Sequence, residues 1–177
     1  MATKKEFYNR LIALNDDFSF FSSDKKPATK EMVSEYAQQK DIKFNNDFIE
    51  FLTTYGAMIL EVKENIWKRP ELLETIPMWE FGYGFFVYGL SVDENFPEWL
   101  SYEDKYAETE FNGDLSIGQM FFKRSGNLYR AYINDNTITV ETDKEGTDRE
   151  EFKGNLYDFL IAEVDKLEMD YKEYLKK

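Results

Sequence analysis

The stretch that most restricts the fold is residues 115–142, LSIGQMFFKRSGNLYRAYINDNTITVET. It predicts three short strands joined by two tight turns. Ser125-Gly126-Asn127 marks one turn and Asn134-Asp135-Asn136 the other. Gly enters φ > 0 at no steric cost, while Asn and Asp bond their own backbone and tolerate the left-handed region. In the third strand Ile138 and Val140 fall on one face and Thr137, Thr139 and Glu141 on the other, the period of a half-buried strand. Residues 128–133 alternate less cleanly, with Leu128, Arg130 and Tyr132 opposite Tyr129, Ala131 and Ile133; aromatics there can pack on both faces of a pleat. A meander with an apolar face needs a cover, and only helices on either side of it can supply one.

Helical patterns stand at both ends. From Asn155, with Asp158 three residues on as in a capping box, Leu156, Phe159, Leu160, Val164, Leu167, Tyr171 and Leu175 recur at three and four, the stripe of a helix lying across a sheet. Asn45-Asn46-Asp47 offers a cap for an apolar stripe of Phe48, Ile49, Phe51, Leu52 and Tyr55, which Gly56 ends. Thr3 and Thr29 cap two more helices, over residues 3–14 and 29–39. Between these, residues 16–27 read as a polar loop pinned by three Phe, residues 58–62 and 85–90 as strands, and residues 63–83 as irregular with one helical turn near 71–74. Pro97 opens a predicted helix over 96–109, with Trp99, Leu100, Tyr102 and Tyr106 on one face and Glu98, Glu103, Asp104 and Glu108 on the other. Residues 143–151 read as a charged loop.

The expectation is one α+β domain over residues 1–177, a mainly antiparallel sheet of about five or six strands covered by N- and C-terminal helices. A chain of 177 residues can bury about 70% of its unfolded surface, enough for a single sizeable core. No stretch approaches the roughly 18–20 apolar residues of a membrane span, and the first residues lack the apolar segment of a secretory signal. A cytoplasmic location is expected. The absence of Cys removes thiolate chemistry and Cys-bound metals, and the absence of His removes Ser-His-Asp constellations, His-bound zinc and the commonest base near neutral pH. Any catalysis would rest on carboxylates, Lys, Tyr or a carboxylate-bound Mg²⁺.

The net charge of −13 is uneven. Residues 91–116 hold eight acids against Lys105, and residues 141–151 hold six against Lys144 and Arg149, whereas residues 1–44 are close to neutral. Such a field repels nucleic acid and anionic membrane and steers basic proteins toward it. It also serves, more simply, to keep a protein soluble.

Three segments resemble the SUKH superfamily, which includes many bacterial toxin-immunity proteins. Asn46-Asp47-Phe48-Ile49-Glu50-Phe51-Leu52 with Tyr55-Gly56 looks like its short helix ending in a polar residue and Gly. Ile117-Gly118 with Ser125-Gly126-Asn127-Leu128-Tyr129 looks like its glycine turn feeding a strand, and Phe152 with Leu156-Tyr157-Asp158-Phe159-Leu160 like its closing helix. The resemblance covers about residues 28–165, leaving the first helix and loop (1–27) and the end of the terminal helix (166–177) outside it. It implies a non-catalytic protein that binds and blocks a cognate toxin, often a nuclease, with no cofactor or metal. The alternative is a regulatory protein-binding module of the same fold with no toxin partner.

Candidate contact residues follow from the charge. Glu98, Glu103, Asp104, Glu108, Glu110 and Asp114 form either an anionic docking face or a solvated amphipathic helix. Asp143, Glu145 and Asp148 form a second docking element or a plain surface loop, without the spacing of an EF-hand. Trp67 and Trp79 are either exposed anchors for a partner or core residues. Gly82-Tyr83-Gly84 is no dinucleotide fingerprint, since Val87 stands where the third Gly belongs.

Overall fold

A computed structural model of the chain describes residues 1–70, 81–90, 93–103, 117–127, 129–142 and 148–177. Helix α1 (Lys4–Ile12) opens on a Thr3/Glu6 capping box. Strand β1 (Phe18–Ser22) follows, then α2 (Lys30–Lys40) capped by Thr29, and α3 (Asn46–Thr54) capped by Asn45. Strands β2 (Met58–Val62) and β3 (Gly84–Val87) come next, and a 3₁₀ turn spans Glu98–Leu100. The meander predicted from residues 115–142 is β4 (Gln119–Arg124), β5 (Arg130–Asn134) and β6 (Thr137–Glu141). Its turns hold Gly126 at φ 72 and Asp135 at φ 51, the left-handed positions those residue types were expected to fill. Strand β7 (Arg149–Phe152) and α4 (Leu156–Tyr174), opened by an Asn155/Asp158 capping box, complete the described chain.

All seven strands form one antiparallel sheet in simple chain order, β1 to β7. The α+β class, single sheet and terminal helices are as expected; the described residues hold seven strands because two segments read as loops are the edge strands. On one face Phe18 meets Tyr171 of α4 at 5.2 Å and Phe122 meets Phe159 of α4 at 5.0 Å between ring centroids. Leu60, Phe85, Val87 and Ala131 fill that face at 0% exposure, giving the apolar layer that α4 covers. The β4–β5 register shifts between Met120 and Phe122. This bulge turns Phe121 and its neighbour Phe122 both toward Phe159, with Phe121 also meeting Phe48 of α3.

The opposite face carries one straight row across all seven strands: Phe21, Ile59, Phe86, Lys123, Arg130, Glu141 and Arg149 are successive register partners. It runs from aromatic at β1 to ionic at β7. There Glu141 is buried and receives the Arg149 Nε at 3.2 Å and the Tyr132 hydroxyl at 3.3 Å. Arg10 ties α1 to α4 through Asp165 at 2.6 Å and Glu168.

Other expectations are corrected. The helix expected over 96–109 is only the three-residue 3₁₀ turn: Ser101 is already extended (φ −90, ψ 135) and bridges Gly89, whose backbone lies too close to that of Gly56 for any Cβ. The strand expected over 85–90 ends at Val87, and Leu175, placed inward by its spacing, is 58% exposed beyond the end of α4. The helical turn expected near 71–74 lies outside the described residues.

Candidate functional site

Of the expected contact residues, Glu98, Glu103, Asp148 and Trp67 are described; Asp104, Glu108, Glu110, Asp114, Asp143, Glu145 and Trp79 lie outside the described residues. Glu98, Glu103 and Asp148 are exposed, as a contact role requires. Trp67 is not. It is 2% exposed and stacked on Tyr174 at 4.4 Å, so it is a core residue and its assignment as a partner anchor is overturned. The loop around it is fixed by Arg69, which donates to the carbonyls of Trp67 and Val62 and lies 3.7 Å over the Tyr83 ring.

Of the two described tryptophans the exposed one is Trp99. Sequence spacing put it on the inner face of a helix, but the 3₁₀ turn presents it outward at 47% exposure, edge-on to Phe86 at 5.1 Å. Acids surround it in the chain: Asp93 is partly exposed, and Glu94, Glu98 and Glu103 are exposed. Hydrogen bonds from the Asn95 N–H and side chain hold the Asp93 carboxyl below the usual carboxylate range. The Asp93 N–H in turn donates to Ser23 Oγ at 2.6 Å, tying this segment to the end of β1.

Glu103 also stands at the rim of an open cleft of about 430 Å³ between α2 and the 3₁₀ segment. Glu35 and Lys40 share the rim, and Tyr36 and Tyr102 form part of the lining. These two rings stack at 5.5 Å, and both hydroxyls point into the protein: Tyr36 donates to Gln119 Oε1 at 3.1 Å and Tyr102 to the Met120 carbonyl at 2.9 Å. Burial pushes the Tyr102 phenol well above its ordinary range. The cleft thus holds two carboxylates against one ammonium beside two aromatic rings, a lining that favours a cationic side chain over an anion. Among the described residues, no group of three or more Asp and Glu is placed to hold a metal ion. No described helix is long and apolar enough to cross a membrane.

A second polar cluster is buried. Arg124, 0% exposed, sends Nη2 to the Gly82 carbonyl (2.8 Å) and to Asp170 (2.7 Å), and its Nη1 lies 3.8 Å from Glu163. Its Nε and Nη1 make no hydrogen bond among the described residues. The Tyr129 hydroxyl donates to Glu163, and Lys166 lies over the Tyr129 ring at 4.2 Å. Nothing in β4 announces a buried arginine. The one signal is Glu163, an acid inside the apolar stripe of α4, which needs a partner there.

Burial pushes the Glu163 carboxyl above its ordinary range, outweighing Tyr129 and Arg124. The folded chain therefore keeps this proton to higher pH than the unfolded one. Its stabilising contribution is full below the ordinary carboxylate pKa and is lost as pH rises through the raised value. Urea unfolding from pH ~4 to ~8 should show Glu163→Gln gaining stability relative to wild type as pH rises. A difference that stays constant with pH excludes the assignment.

A scan against protein-family models finds no match to the chain, and a search of curated proteins finds none either.

Proposed function

We propose that this chain is an immunity-type protein that binds a basic, nuclease-like toxin and blocks it without chemistry of its own. The observation that carries this reading is the segment 93–103, where exposed Glu94, Glu98 and Glu103 accompany a half-exposed tryptophan. An exposed indole among acids in the chain offers an aromatic anchor and a complementary field to a partner of opposite charge. A nuclease must offer a basic groove to phosphate, and a carboxylate-rich surface can occupy that groove in its place. The SUKH resemblance supports the same role independently of the charge.

The test uses the protein encoded by the gene immediately upstream, purified and mixed with the chain. Stopped-flow association should fall steeply with salt, and Glu98→Lys with Glu103→Lys should slow it on the order of tenfold at low ionic strength. Trp99→Ala should act on dissociation instead, weakening affinity by about 2 kcal/mol or more, roughly thirtyfold. Absence of any complex with that protein removes the immunity reading and leaves the regulatory module of the same fold. A complex indifferent to all three substitutions removes the docking surface.

A further inference from the structure

The two edges of the sheet are built differently. Strand β7 reads Arg-Glu-Glu-Phe, and antiparallel pairing with a second β7 would set glutamate against glutamate, as edges are commonly protected. Strand β1 reads Phe-Ser-Phe-Phe-Ser, with no charge, no Pro and an uninterrupted register against β2. No strand of the described residues lies beyond it. Its outer rings stand in solvent, Phe20 at 37% and Phe21 at 51% exposure.

The hydrogen-bond phase of that edge is fixed. Lys63 N–H donates to the Asp17 carbonyl and Ser23 N–H to the Ala57 carbonyl, so residues 17, 19, 21 and 23 address β2. Phe18, Phe20 and Ser22 therefore turn their backbone groups outward. The Phe18 N–H is already spent on the Asn15 carbonyl, leaving the carbonyls of Phe18, Phe20 and Ser22 and the N–H groups of Phe20 and Ser22 turned outward. All but the Ser22 carbonyl, which stays in solvent, find partners in a second copy. With a two-fold axis at Phe20, each Phe20 N–H meets the other Phe20 carbonyl, and each Ser22 N–H meets the other Phe18 carbonyl.

We propose that the chain forms a two-fold dimer in which β1 pairs antiparallel with β1 of a second copy about Phe20, joining two seven-stranded sheets into one. The occupant is a second copy because of charge. The chain carries −13, so two copies repel except where local charge is low. Uncharged β1 lies in the near-neutral first quarter of the chain, with Lys25 and Lys26 partly offsetting Asp16, Asp17 and Asp24. A basic partner is drawn instead to the acidic segments. The pairing also sets each Phe21 opposite Ser19 of the other copy and diagonal to the other Phe21, close enough for the two most exposed rings of that face to pack on each other.

Sedimentation equilibrium of the full chain over a concentration series tests this. A monomer–dimer equilibrium is expected, tightening as salt rises because screening relieves the repulsion. Binding to a basic toxin must weaken with salt, so the two readings fail separately. Phe20→Lys, which sets like charges face to face at the axis, should weaken dimerisation at least tenfold, while Phe20→Leu should retain it. Should the lysine variant fold poorly, amide exchange of the wild type gives the same answer: the Phe20 and Ser22 amides should become protected only as concentration rises. A monomer at every concentration and salt, an open-ended polymer, or a dimer with those two amides unprotected overturns the proposal.

Discussion

Truncating Phe159 to alanine is expected to cost the fold about 3–5 kcal/mol, the upper range for a buried aromatic. Phe159 is 1% exposed, and three rings meet it: Phe121 at 5.5 Å and 64°, Phe122 at 5.0 Å and 86°, and Phe152 at 5.3 Å and 85°. Two come from the β4 bulge and one from β7, so this side chain joins the middle of the sheet to its far edge. Loss of the ring leaves a cavity that three phenylalanines anchored on two hydrogen-bonded strands cannot collapse to fill, and it forfeits edge-to-face contacts beyond the buried area. Urea unfolding should show the midpoint falling with the slope unchanged. Phe159→Leu should recover more than half of the loss. If alanine costs less than about 1.5 kcal/mol, the ring cluster is not the centre of the core.

Arg124→Ala should be comparably severe, about 3–5 kcal/mol, for a different reason. The guanidinium is the central cation among Glu163, Asp170 and the Gly82 carbonyl, and its removal strands a buried carboxyl as well as opening a void. The damage should be reversible by chemistry. Arg124→Met combined with Glu163→Leu replaces the buried pair by apolar atoms of similar volume, and such replacements are often neutral or stabilising. A double-mutant cycle should therefore be strongly non-additive, with the double variant recovering most of the loss seen in Arg124→Met alone and stopping short of wild type because the Tyr129 hydroxyl and the Gly82 carbonyl lose their partners. Additive losses would show that Arg124 acts through packing rather than through charge.

The parts legible in the sequence were those where local chemistry and tertiary structure agree. The β4–β6 meander carried its turns in Gly126 and Asp135, and α4 carried a capping box and an unbroken apolar stripe. The edge strands were hidden because an edge strand need not alternate. β7 carries three charged residues before Phe152, and Phe21 breaks the alternation of β1 by standing on the face that α4 does not cover. The supposed helix over 96–109 failed because Trp99, Leu100 and Tyr102 mimic a helical face while serving separate surfaces. Trp99 goes to the solvent side of Phe86; Tyr102 goes to the carbonyl of Met120. Of the proposed contact surface, the sequence showed the acids but not the exposed indole. Charge is a property of composition, whereas the exposure of Trp99 depends on a backbone that leaves the helical path at Ser101. Arg124 could be reached only through the acid opposite it in α4.

The plain succession of the strands has a consequence for biosynthesis. Every described strand precedes the helix that covers them, so a ribosome finishes these seven strands before α4 exists. Until then Phe122, Phe85 and Leu60 line a layer without its lid, and the nascent chain carries a sticky aromatic surface through most of its translation. Closure of the domain is thus a late, single event, and any stop codon ahead of residue 156 yields a product fit for chaperones and proteases rather than for binding.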